Sequence, residues 1–305
     1  MQVYADNAPI LDRVWTRLHR RIDAYPPALR ELARDFFAKA GPGYFSLPDA
    51  APLLHLPIWL GRGVTPDALE DILEATALAY AYVRIQDNVV DEPDGRGHPP
   101  YLLMSNALLW DALALYRTHA DAHFWDVARC AWFTFSEQTE AERRQLTGGG
   151  SYPHAAFVQH ARKCALAEVP LYAVMGASGD WRGEARVPKL VHALALSYGC
   201  VNDVWGHERD LLSGGRTWLL SHAREVAREA AGGEPSVEQV RRALVHTPIM
   251  EELVAQSIAE LGRARTAAAA LGVAHFDVFA AQRSVRLLHV QSRIAVLRLQ
   301  AVLAA

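Results

Sequence analysis

The stretch Asn202-Asp203-Val204-Trp205-Gly206-His207-Glu208-Arg209-Asp210 closes an apolar run that begins at Val187 and holds no proline after Pro188. Such a run predicts a helix, and on a helix Asn202, Gly206 and Asp210 stand at i, i+4 and i+8 along one face. An amide oxygen, a small gap and a carboxylate in that order make a chelating edge for a hard cation, with room in the middle for water or a hydroxyl. Arg209, beside the carboxylate, adds a fixed positive charge suited to a phosphate. A solvated helix end uses the same residue types, so the reading needs a second acidic segment.

Arg84-Ile85-Gln86-Asp87-Asn88-Val89-Val90-Asp91-Glu92 is that segment. It ends a helix that Thr65-Pro66-Asp67 starts, with Thr as N-cap, Pro at the first position and an acid in the first turn. Pro93-Asp94-Gly95 stops it. Asp87 and Asp91 are i and i+4, hence neighbours on one face about 5–6 Å apart at Cβ. Tyr80 and Arg84 fall on a similar face further up. Carboxylates at a helix C-terminus oppose its dipole, so a cation should offset them. Mg²⁺ suits this role, because it takes oxygen ligands and bridges carboxylates to phosphate oxygens.

Around these segments the chain reads as helix after helix. Ile10, Leu11, Val14, Leu18 and Ile22 keep a helical period up to Pro26-Pro27, and a second helix runs to Lys39, stopped by Gly41-Pro42-Gly43. Residues 43–64 read as irregular, broken by Pro48, Pro52 and Pro57. Further helices are expected near 100–118, 121–147, 153–176, 187–210, 217–230, 236–246, 248–271 and 275–303, with Pro170 kinking the one at 153–176. Strand-like alternation is nearly absent. The expectation is all-α, about ten helices in one domain over 1–305.

Composition narrows the function. The 305 residues are 51% hydrophobic with a formal net charge of -3, enough for a large core and without the basic excess of a nucleic-acid surface. Cys130, Cys164 and Cys200 share no short spacing, which fits a reduced, cytoplasmic setting. No signal pattern and no apolar run of about 18 residues are present, so neither export nor membrane insertion is expected. The 13 histidines form neither HExxH nor ExxH, and there is no P-loop or GxSxG elbow.

Taken together, the two acidic segments resemble the paired metal motifs of class I isoprenoid synthases, the terpene cyclases and trans-prenyltransferases. Asp87-Asn88-Val89-Val90-Asp91 resembles their DDxxD motif, and the stretch from Asn202 to Asp210 resembles (N/D)Dxx(S/T/G)xx(K/R)E. The likeness spans roughly Asp67 to Leu220. Asn88 stands where the family has a second aspartate, Gly206 where a hydroxyl residue is usual, and Asp210 where glutamate is usual.

The resemblance implies a helical bundle around a central cavity and about three Mg²⁺ ions, held by Asp87, Asp91, Asn202, Asp210 and, through a water, Gly206. It implies diphosphate contacts from Arg162 or Lys163 and from Arg209. Leu211-Leu212-Ser213-Gly214-Gly215-Arg216-Thr217-Trp218-Leu219 looks like the DLxxGKxTLP segment of prenyltransferases, which adds Arg216. Cyclases place an Arg-Tyr pair near the C-terminus. Here Arg286 or Arg283 would be the arginine, and no tyrosine follows Tyr198. Trp59, Tyr80, Phe157, Tyr172 and Tyr198 are candidates for lining the cavity, where aromatic faces stabilise cations.

The activity implied is Mg²⁺-dependent ionisation of a prenyl diphosphate with release of pyrophosphate. Geranyl, farnesyl and geranylgeranyl diphosphates are the candidate substrates, and a homodimer is among the assemblies considered. A chain-elongating transferase must also hold isopentenyl diphosphate, through a GKRxRP-like segment near the N-terminus. The corresponding Gly43-Tyr44-Phe45-Ser46-Leu47-Pro48-Asp49-Ala50-Ala51-Pro52 has no Lys or Arg, and Arg96 alone represents the basic cluster after the first motif. The expectation is therefore a terpene cyclase, a lyase of isoprenoid biosynthesis. A trans-prenyltransferase is the alternative, and a non-catalytic prenyl-diphosphate-binding subunit is a further one.

Overall fold

The computed structural model describes residues 2–46, 52–91, 98–148 and 150–304. Among these residues there are thirteen α-helices and no strand. In order they are α1 (Gln2–Asp23), α2 (Pro27–Ser46), α3 (His55–Leu60), α4 (Pro66–Asp91), α5 (His98–His119), α6 (Ala122–Thr147), α7 (His154–His160), α8 (Val169–Ser178), α9 (Val187–Leu212), α10 (Trp218–Ala231), α11 (Val237–His246), α12 (Ile249–Leu271) and α13 (Phe276–Ala304). They divide between two units. The first comprises Met1–Cys130, Ala167–Glu184 and Ala269–Phe276, and the second Ala131–Leu166, Ala185–Ala268 and Asp277–Ala305.

In the first unit α4 is the central helix. Ala68, Ile72, Leu73, Ala75, Leu78, Ala81 and Ile85 are buried on it, a wider apolar surface than a helix at a protein's edge needs. It packs most extensively along α5, and α1, α3 and α8 also lie against it. The start is as expected: Thr65 Oγ1 accepts from the Ala68 amide at 3.4 Å, and Pro66 takes the first position. Charge fixes how α1 lies on α4. Arg17 and Arg21 both donate to Glu74, at 3.0 and 2.6 Å, while Arg13 donates to Glu70 at 2.7 Å. The Glu74 side chain is 1% exposed, so without those guanidiniums it would be a costly buried charge.

Three expectations here fail, two of them for related reasons. α1 begins at Gln2 and passes through Pro9, and α3 occupies part of the span read as irregular. The Asn7 amide nitrogen and His55 Nδ1 are 2.9 Å apart, and the Tyr4 ring meets the edge of His55. His55 in turn stacks on Trp59 at 5.4 Å. These contacts hold two segments that their prolines alone argue against. Pro57 sits in the first turn of α3, where its missing N–H has no helical partner to lose. α2 likewise continues through Gly41-Pro42-Gly43 to Ser46.

In the second unit α9 carries the stretch that opened the reading. Leu190, Val191, Leu194, Ser197, Cys200, Val201 and Val204 are buried at helical spacing, which turns Asn202 and Asp210 away from the packed face. Ser197 and Ser257 hydroxyls, 3.0 Å apart, tie α9 to α12. α10 packs on both α9 and α11, and α11 starts with a Ser236/Gln239 capping box. The helix expected over 153–176 is broken more deeply than a kink: α7 gives way to a 3₁₀ segment, Ala161–Glu168, and α8 restarts with Pro170 in its first turn. None of the helices searched among the described residues is long and apolar enough to cross a membrane.

Candidate active site

In the first unit, Asp87 lies in the last turns of α4 and is held by Arg84, whose Nη1 donates to Oδ2 at 2.8 Å. That arginine is the local cation the helix dipole called for. The side chain of Asp91, Arg96 and Leu47–Ala51 of the basic-poor segment lie outside the described residues. Tyr80 is half-buried one turn and more above Asp87. Trp59 is buried against His55, and Tyr172 is buried with its hydroxyl donating to Glu168 at 3.0 Å.

In the second unit the expected face of α9 is present. Asn202 is exposed, and Asp210 is half-buried with Arg209 donating to its Oδ1 at 2.8 Å. The gap at Gly206 is filled by this pair: a Cβ there would lie 2.8 Å from Asp210 Oδ2 and 3.0 Å from Arg209 Nη2. Glycine therefore lets the carboxylate fold back along the helix. On the other side of α9, Glu208 pairs with Arg241, which holds its carboxyl below the usual range.

Asp203 connects this face to a cluster that the motif alone did not reveal. Burial pushes its carboxyl up to about 7, with Asp210 and Glu142 adding to the shift and a backbone hydrogen bond from Leu219 and the Lys163 charge opposing it. Its Oδ2 is buried without a hydrogen-bond partner among the described residues. Lys163 is ion-paired with Glu142 on α6. Tyr152 donates to Glu142 at 3.3 Å and lies 2.9 Å from His160 Nδ1. Of the two cations left open by the sequence, Lys163 pairs with Glu142, whereas Arg162 is exposed. Glu142 and Tyr152 come from a helix and a loop with no motif of their own, so spacing could not have found them.

Arg216 is half-buried, and its Nη1 has no hydrogen-bond partner among the described residues. On α13, Arg286 is exposed, whereas Arg283 is 7% exposed and lies over the Tyr198 ring at 3.9 Å. Phe157 is buried, so close to α9 that a Cβ on Gly199 would lie 3.2 Å from its ring. Concavities of about 610 and 640 Å³, one in each unit, contain none of the expected site residues.

The donors on both acidic segments are oxygens, as magnesium or calcium requires. Among the described residues no group of three or more His, Cys, Asp or Glu is assembled for a metal.

No protein-family model matches the chain, and no curated protein matches it. Solved structures do. Geranylgeranyl pyrophosphate synthase from Corynebacterium glutamicum, complexed with calcium and isoprenyl diphosphate, superposes with a TM-score of 0.76 at 13% identity, covering 95% of this chain and 98% of that one. Geranylgeranyl pyrophosphate synthase from Lactobacillus brevis gives 0.74 at 16% identity, over 93% and 97% of the two chains. A decaprenyl diphosphate synthase from Rhodobacter capsulatus gives 0.72 at 14%, over 92% and 97%. The chain has the class I isoprenoid synthase fold, as its motifs suggested.

Proposed function

We propose that this chain is an enzyme that ionises an allylic prenyl diphosphate with the help of divalent cations. The observation that carries the reading is the α9 face, where Asn202 and Asp210 stand on one continuous helix with Lys163 brought up to Asp203. Asp87 and Asp91 on α4 and Asn202 and Asp210 on α9 would hold the ions, which supply Lewis-acid neutralisation of charge on the leaving group. Lys163, Arg209 and Arg216 add fixed positive charge toward the same diphosphate. No nucleophile on the protein is required. Tyr80 in the first unit and Tyr198 in the second, both half-buried, are the aromatic faces we assign to stabilising the cation left behind; Trp59, Phe157 and Tyr172 are buried.

Elongation with isopentenyl diphosphate is the reading that the structural neighbours support, since those named above are prenyl diphosphate synthases. This reverses the order of preference drawn from sequence. Cyclisation of a single substrate remains as a second reading on one specific observation: no Lys or Arg occurs between Lys39 and Arg62, where a second diphosphate would need one. The experiment is pyrophosphate release with Mg²⁺ from geranyl, farnesyl and geranylgeranyl diphosphates, each with and without isopentenyl diphosphate. Release only with the second substrate establishes elongation, and release without it establishes cyclisation. No release from any of them removes the enzymatic reading and leaves a binding subunit.

A further inference from the structure

α13 is apolar on two sides. Its packed side carries Phe279, Leu287, Val290 and Ile294, all buried. Roughly opposite, Val285, Leu288, Val296, Leu299 and Leu303 recur at helical spacing, and each is more than half exposed. A helix at a protein's edge needs only one apolar side. Ser292 is the polar residue within this second stripe, and its hydroxyl donates to the Leu288 carbonyl at 3.0 Å. The stripe therefore makes no demand for an outside hydrogen-bond partner. From Val278 to Leu303 it runs about 38 Å.

Charge decides what such a stripe meets. No Asp or Glu follows Asp277 in the sequence, whereas Arg286, His289 and Arg293 are exposed along one border of the stripe. The Arg293 guanidinium lies 4.7 Å from the centre of the Trp205 ring, which is 52% exposed on α9. Arginine and tryptophan both suit a bilayer surface: one lays an apolar stem under a hydrated head, the other joins an apolar body to a polar edge. A second copy of the chain fits less well, because pairing two such helices would leave these cations without the acidic complements that helix pairs use at their borders. Among the described residues no helix is long and apolar enough to cross a membrane, so the contact is with a surface.

We infer that the outer stripe of α13, bordered by Arg293 and Trp205, is a docking surface for an anionic lipid bilayer. The helix lies in the plane of the interface, with Leu288 and Leu299 against the acyl chains and Arg293 among the headgroups. Trp205 stands three residues beyond Asn202 on α9, so docking sets that face beside the bilayer, where a prenyl diphosphate, with its apolar chain and charged head, would gather. That consequence rests on the proposed function; the docking itself does not.

The test is co-sedimentation of the full chain with vesicles of phosphatidylcholine containing about 30% phosphatidylglycerol, and with vesicles of phosphatidylcholine alone. Binding should be at least about fivefold tighter to the anionic vesicles and should weaken as salt is added. Leu288→Gln combined with Leu299→Gln should weaken it by at least about tenfold, and Arg293→Gln by about fivefold. Val237→Gln, at an exposed apolar position on α11, should bind as the wild type does. Failure of the wild type to bind anionic vesicles overturns the docking surface, as does wild-type affinity in the double leucine variant. A wild-type dimer that the double variant dissociates in sedimentation equilibrium also overturns it, because a second copy would then cover the stripe. If circular dichroism shows that the double variant fails to fold, Arg293→Gln decides by the same criterion. Bilayer binding without turnover of any prenyl diphosphate sinks the enzymatic reading alone.

Discussion

The guanidinium of Arg283 lies 3.9 Å from the centre of the Tyr198 ring, joining α13 to α9 one turn before Asn202. The arginine is 7% exposed, and burial lowers its pKa, with Tyr198 opposing the shift. A ring face stabilises a cation by about 0.5–2 kcal/mol, less than the several kcal/mol that desolvating an ion costs. Arg283→Met should therefore leave the ligand-free protein as stable as the wild type, or more stable, in urea unfolding. A loss above about 3 kcal/mol would instead indicate that a carboxylate partners Arg283, because that is the cost of breaking a buried ion pair.

Glu74 predicts the opposite behaviour. Its carboxylate is buried and held by both Arg17 and Arg21. Glu74→Ala takes from Arg21 the carboxylate it donates to and leaves Arg17 with Glu70 and Asp71, and should cost about 3 kcal/mol. Glu70→Ala, whose partners are Arg13, more than half exposed, and Arg17 at 3.4 Å, should cost no more than about 1 kcal/mol. Parallel urea melts of the two variants check the difference.

These two sites mark where sequence reasoning stopped. The all-α class, the start of α4 and the one-sided face of α9 follow from local signals: a Thr-Pro cap, apolar spacing of three and four, and the absence of alternation. α3 and the first turns of α1 depend on His55 meeting Asn7, Tyr4 and Trp59, contacts between segments far apart in the chain. The same holds for the site. The helical positions of Asp87, Asn202 and Asp210 were legible because their spacing is local, whereas Glu142 and Tyr152 meet Lys163 and His160 through contacts that no motif connects. The choice between Arg283 and Arg286 could not be made from one helix, since both lie on α13 and only packing against α9 separates them. Gly206 was read as a gap for water, and the side chains of Asp210 and Arg209 fill it.

The thiols offer a direct check on α9 packing. Cys130 and Cys164 are exposed, while Cys200 is buried and its thiol is pushed up to about 12, chiefly by burial and then by Asp203 and Glu260. At pH 8 a disulfide reagent should titrate two thiols quickly and the third only on unfolding. Cys200→Ser should leave the fast count at two. A third fast thiol in the native protein would mean that α9 is not packed as described.

Asp87 and Asn202 test the metal assignment from two helices. Asp87 loses only a partly exposed pair with Arg84 when truncated, worth about 0.2–1 kcal/mol, and Asn202 is exposed. Asp87→Ala and Asn202→Ala should therefore keep helical circular dichroism while lowering turnover by at least about a hundredfold. Raising Mg²⁺ should recover part of the loss if the residues act as ligands. Wild-type turnover in both variants would remove these residues from the site.

His160 sets a pH dependence with a definite sign. Burial lowers its pKa from 6.5; the Lys163 charge acts the same way, while Glu142 opposes them. The folded state thus binds the proton less readily than the unfolded chain. Its contribution to stability is complete above about pH 6.5 and is lost as the pH falls through the lower, folded-state value. Urea midpoints measured from pH 8 to pH 5 should fall less steeply for His160→Gln than for the wild type. Glu142→Gln removes the opposing charge and should steepen the wild-type decline. Superimposable profiles for wild type and His160→Gln would show that the cluster around Lys163 does not hold this imidazole neutral.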